Sequence, residues 1–93
     1  MKRLYNCKAC YDKDTLISYN TEIIKFNDNV CTLRVYRSMT TYMHIRKFCG
    51  RLLEIGEPRK AHIVQELYKA MIIHRKAKYI HYDLITGLSV VEK

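Results

Sequence analysis

The sequence predicts an α+β domain: a small antiparallel sheet with two helices packed on one of its faces, in the order β-β-α-α-β with room for a further strand. Three observations carry this. β-type composition from Thr15 to Phe26 gives way to apolar–polar alternation from Cys31 to Tyr36, apolar residues recur every three or four positions from Ser38 to about Lys78, and β-type composition returns at Tyr79. Runs of strands beside runs of helices are the signature of α+β rather than of alternating α/β architecture.

From Thr15 to Phe26 the chain is rich in Leu16, Ile17, Tyr19, Ile23, Ile24 and Phe26, a β-forming composition. Asn27-Asp28-Asn29 follows, residues that tolerate turn conformations. Cys31, Leu33 and Val35 then alternate with Thr32, Arg34 and Tyr36, which reads as a half-buried strand and makes an antiparallel hairpin with the preceding run. At Ser38 the period changes. Ser38, Thr40 and Thr41 are all competent N-caps. Tyr42, Ile45, Phe48, Cys49 and Leu52 form the apolar stripe of a first helix, and His44, Lys47, Arg51 and Glu54 a separate polar stripe. Gly56 suits a helix stop and Pro58 the first position of a second helix. That helix carries Ala61, Val64, Leu67, Tyr68 and Met71 inward, with His62, Glu66, Lys69 and Lys76 on another face. Tyr79 to Val91 is one bent strand or a second hairpin turning at Thr86-Gly87.

Ninety-three residues make one domain, with residues 1–14 expected as a loosely ordered N-terminal extension. Composition excludes collagen-like and Pro-rich chains, since there are three glycines and one proline. No stretch approaches the ~20 apolar residues of a membrane span. The basic N-terminus has no apolar core of a secretory signal, so the expected setting is cytoplasmic with the four cysteines reduced.

The net charge is +8, and its distribution matters more than its size. Residues 34–82 hold eleven basic and three acidic side chains, whereas the flanking segments are nearly neutral. Between Asp28 and Glu54, and again between Glu66 and Asp83, there is no carboxylate. Within this block the candidate binding residues are Arg34, Tyr36, Arg37, His44, Lys47, Arg51, Arg59, Lys60, Lys69, Arg75, Lys76 and Lys78. Lys and Arg neutralise phosphates and release counterions, and interleaved tyrosines stack on bases. The expected partner is therefore nucleic acid or a nucleoprotein complex. A host protein is the alternative partner, because Tyr and Arg are also favoured interface anchors, and a homodimer stays open.

Other chemistries are poorly supported. Cys7-Lys8-Ala9-Cys10 has metal-ligand spacing, but a structural zinc site needs four ligands and no second pair is present. Gly-rich phosphate loops, nucleophile elbows and His-Glu-x-x-His motifs are missing, and the acids are few and dispersed. The expectation is a protein without cofactor or metal that is not an enzyme. The two helices joined at Gly56 share the outline of a helix-turn-helix, but the flanking strands and a second helix of about eighteen residues do not suit that motif.

Ser18-Tyr19-Asn20-Thr21-x-Ile23, followed by Tyr36-Arg37-Ser38-Met39-Thr40-Thr41-Tyr42-Met43-His44-Ile45, resembles a family of small, largely uncharacterised proteins from phages and related mobile elements. Those proteins carry a Ser-Tyr-x-Thr strand and a Tyr-Ser-x-Thr-Thr-x-x-His-Ile strand-to-helix corner. Arg37 is an insertion relative to that pattern, and the resemblance spans roughly residues 16–55. It implies a genomic setting in which small proteins act inside a bacterial host, some as inhibitors of host defence of the anti-CRISPR kind.

Overall fold

The computed structural model describes residues 1–5 and 7–93. The chain folds as α+β, with one seven-stranded antiparallel sheet whose strands run in sequence order and a helical hairpin inserted between the fifth and sixth. The strands are β1 (Lys2–Arg3), β2 (Ala9–Tyr11), β3 (Thr15–Ser18), β4 (Thr21–Asn27), β5 (Val30–Arg34), β6 (Tyr79–Asp83) and β7 (Ser89–Glu92). The helices are α1 (Met39–Glu54) and α2 (Pro58–Ile73).

The order is thus β-β-β-β-β-α-α-β-β, with more strand than the sequence predicts. Two causes account for the difference. First, the run from Thr15 to Phe26 is not one strand. Tyr19 and Asn20 take φ of 49° and 68°, the paired left-handed conformation of a tight hairpin turn, and split it into β3 and β4. Second, the described residues before Thr15 contribute two further strands, β1 and β2. Lys2 pairs with Tyr11 and Arg3 with Cys10, while Leu4 and Tyr11 are buried. Each of these strands is shorter than the window over which alternation can be read, so only burial reveals them. The C-terminal segment takes the hairpin alternative. Asp83 Oδ1 accepts from the N–H groups of Ile85 (2.8 Å) and Thr86 (3.1 Å), which hold its carboxyl below the usual range, and Gly87 supplies φ +74°.

The helix boundaries follow their caps. Ser38 Oγ accepts from the Thr41 N–H at 3.1 Å and opens α1. At its other end Gly56 adopts φ +82°. The Gly56 N–H reaches the Leu53 carbonyl and the Glu57 N–H the Leu52 carbonyl, the two bonds of a Schellman closure. Pro58 opens α2.

Both helices cover one sheet face. Leu16, Ile24, Cys31, Leu33 and Ile80 from the sheet meet Ile45, Phe48, Leu52, Val64, Leu67 and Met71 from the helices, all buried. The alternate residues face away from the helices: Thr32 Oγ1 bonds His81 Nδ1 at 2.9 Å, and Lys25 donates to Thr15 Oγ1 at 3.1 Å. Among the described residues no helix is long and apolar enough to cross a membrane.

Candidate nucleic-acid interface

The exit of β5 and the loop between α2 and β6 lie about forty residues apart in sequence and are pinned together in space. Arg34 pairs with Tyr79 across the sheet, and the Val35 N–H donates to the Lys78 carbonyl at 2.8 Å. Arg37 then reaches over the end of α2, its guanidinium donating to the carbonyls of His74 (2.6 Å) and Met71 (3.3 Å). Helix C-termini leave such carbonyls without intrahelical partners and carry partial negative charge, so a cation is favoured there. The intervening loop is short, closed by the Ala77 N–H on the His74 carbonyl at 3.2 Å. Five cationic residues, Arg34, Arg37, Arg75, Lys76 and Lys78, are thereby brought to one corner of the backbone, all exposed; Arg34 turns to the helix-free face of the sheet, where Glu22 lines the same shallow pocket. Tyr36 stands among them at 53% exposure, and the Tyr79 ring stacks on His81 at 6.2 Å between centroids.

Beside this corner lies a depression of about 350 Å³ at the start of α1. Seven of its eight lining side chains carry hydroxyls: Ser18, Tyr19 and Thr21 from the β3–β4 hairpin, and Tyr36, Ser38, Thr40 and Thr41 from the strand-to-helix corner. Both halves of the Ser-Tyr-x-Thr and Tyr-x-Ser-x-Thr-Thr pattern therefore meet at one place. Behind it His44 is buried, its Nδ1 hydrogen-bonded to Ser18 Oγ at 2.7 Å and its ring packed on Tyr19. Burial, and then the charge of Lys47, pushes the His44 pKa down, so the imidazole is held neutral.

This corrects the expected polar stripe of α1. His44 belongs to the inward face, which consists of Thr41, His44, Ile45, Phe48 and Leu52. On a helical wheel His44 sits about 60° to one side of that face's centre, close enough for the neighbouring hairpin to cover it. Arg51, further round the same side, is also committed. Its Nε donates to the Tyr11 hydroxyl at 2.7 Å and its Nη1 to Glu54 at 2.7 Å, with the guanidinium over the rings of Tyr5 and Tyr11. Glu54 in turn accepts from the Tyr5 hydroxyl, which raises the Tyr5 pKa. Arg51 is therefore a clamp between α1 and the N-terminal hairpin.

The first turn of α2 is occupied in the same way. Arg59 donates to the Leu84 carbonyl at 2.8 Å, and Lys60 to Asp14 Oδ1 at 2.6 Å and the Lys13 carbonyl at 3.0 Å. The Lys60 ammonium holds the Asp14 carboxyl below its ordinary range. Neither residue is brought to the corner. Lys47 and Lys69 lie on the outer face of the helical hairpin, with Lys69 at 3.9 Å from Glu66. Sequence reasoning missed Arg46, which shares that face; its place between two apolar positions of α1 was the available signal.

Of the cysteines, Cys7 donates to the Leu4 carbonyl, Cys10 is exposed and Cys31 is fully buried; all four are unpaired thiols. Among the described residues no three His, Cys, Asp or Glu side chains are grouped as a metal site would require. No protein family, curated protein or solved structure matches the chain.

Proposed function

We propose that the protein binds nucleic acid, alone or within a nucleoprotein complex, through the cationic corner formed by residues 34–37 and 75–78. The observation that carries this reading is the pinning together of two carboxylate-free basic segments by the Val35–Lys78 and Arg37–His74 bonds. Arg34, Arg75, Lys76 and Lys78 are the residues that contact phosphates, Tyr36 and Tyr79 offer faces for bases, and Arg37 positions the loop. Contacts of this kind track the backbone and carry little sequence preference. The reading fits a phage-type accessory protein that acts without chemistry of its own inside a bacterial host. Lys47 and Lys69 belong to a separate surface, and Arg51, Arg59 and Lys60 serve the fold.

The test is fluorescence anisotropy with a labelled 12-nucleotide RNA and a 12-base-pair DNA duplex at low salt. Reversal at Arg75→Glu/Lys76→Glu is expected to weaken binding at least about tenfold, and reversal at Lys2→Glu/Arg3→Glu to leave it nearly unchanged. Absence of binding by the wild-type protein to either probe at low salt would sink the proposal.

A further inference from the structure

The outer face of the helical hairpin carries an apolar groove that the fold leaves uncovered. Met39, Met43 and Leu53 of α1, which line it, are 81%, 47% and 58% exposed. Between the helices the groove is floored by the edge-on pair of Tyr42 and Tyr68, whose ring centroids lie 6.1 Å apart. It holds about 570 Å³ at its Met39 end and about 530 Å³ at its Leu53 end, the two sharing Arg46 and Tyr68. Positions 39, 43, 46 and 53 recur on one side of α1 over about 21 Å. That length accommodates a helix of about fourteen residues at 1.5 Å per residue.

The rim is cationic: Arg46 and Lys47 stand on one wall and Lys69 on the other, and among the described residues no acidic side chain lines either end. Glu66, beside Lys69, is half-buried and pairs with it and with His62 at 3.8 Å. We infer that this groove docks an amphipathic helix of another protein, one with a Leu- or Met-type stripe flanked by Glu and Asp. Exposed methionines adapt to varied apolar side chains, and a helix laid in a groove reads them at i, i+3, i+4 and i+7. Two other occupants fit less well. A phosphate backbone gains nothing from Met39, Met43 and Leu53. A second copy of this chain, paired about a two-fold axis, sets one cationic rim against the other, and facing like charges are costly.

The probe is a labelled, N-acetylated helical peptide of about eighteen residues with Leu on one stripe and Glu on both flanks. A twin peptide carries Lys in place of every Glu. Binding is followed by anisotropy and by the methyl NMR signals of the methionines. The acidic peptide is expected to shift the signals of Met39 and Met43 and to leave that of Met71, in the core, in place. Arg46→Glu/Lys47→Glu is expected to raise the Kd at least about tenfold. Leu53→Asp, on the surface and so compatible with folding, is expected to raise it independently. The nucleic-acid corner variant Arg75→Glu/Lys76→Glu is expected to bind the peptide as the wild type does, which separates this surface from the corner. Failure of the acidic peptide to bind, equal binding of the Lys twin, or unchanged affinity in Arg46→Glu/Lys47→Glu overturns the inference. So does a concentration-dependent dimer in sedimentation that itself shifts Met39 and Met43.

Discussion

Replacing Ser18 with alanine leaves the imidazole of His44 buried and short of its one side-chain partner. The hydrogen bond is 2.7 Å long and both residues are at most 3% exposed, so water does not substitute for the lost hydroxyl. An unsatisfied buried polar group costs about 1–3 kcal/mol, and each kcal/mol moves the melting temperature of a domain this size by about 4–8 °C. Ser18→Ala is therefore expected to lower Tm by roughly 5–20 °C. His44→Leu strips the same pair from the other side. The double variant, in which both polar groups are gone, is expected to be less destabilised than the two single losses combined, with a coupling of about 1–2 kcal/mol. Urea unfolding at pH 7 measures all three. The same pair predicts a pH dependence. With its pKa lowered by burial, His44 takes up a proton more readily in the unfolded chain, where it titrates near about 6.5. Stability is then fully present above that value and falls as pH drops from 7 towards 5. Asp14, Glu54 and Asp83, whose pKa values are lowered, contribute their losses only at more acid pH, near and below about 4. The slope between pH 7 and 5 is expected to vanish in His44→Leu. An additive cycle with an unchanged pH slope would refute the assignment of Ser18 and His44 as a coupled buried pair.

Two further outcomes follow from the core and the caps. Native labelling with iodoacetamide at pH 8, read by mass spectrometry, is expected to modify Cys10 first. Cys31, fully buried and with its thiol pushed up to about 12 by burial, reacts only on unfolding, and equal rates would contradict the packing of β5 against the helices. Gly56→Ala meets no atom within 4 Å, so its cost is the backbone strain of φ +82° alone, about 1 kcal/mol in a denaturation curve. A loss several times larger would mean that the α1–α2 connection packs more tightly than the structure has it.

The helices and the central hairpin were legible because their signals are local. Ser38 and Gly56 announce the ends of α1, Pro58 the start of α2, and alternation at Cys31 and Leu33 the inward face of β5. The N-terminal strands were not, since β1 has two residues and β2 three, and Leu4 and Tyr11 are informative only once the surface they cover is known. Charge was legible as a block but not as a site. Arg34 with Tyr79 and Arg37 with His74 are long-range partners, and nothing local distinguishes Arg75, which is exposed, from Arg51, which is spent on Tyr11 and Glu54. His44 shows the same limit: its position on the wheel is ambiguous until Ser18 lies over it.

Phosphate recognition at the corner makes nucleic-acid binding fall with rising salt, and the slope counts the cations engaged. With Arg37 occupied by two carbonyls, four cations at the corner remain for phosphates. For a DNA duplex this gives a slope of log K against log salt of about −3.6, or a loss of about 150-fold between 50 and 200 mM. Removing two of the charges in Arg75→Gln/Lys76→Gln is expected to halve the slope to about −1.8, a loss of about twelvefold over the same range. A wild-type slope near zero, or a slope that the substitution leaves unchanged, would contradict phosphate recognition at this corner.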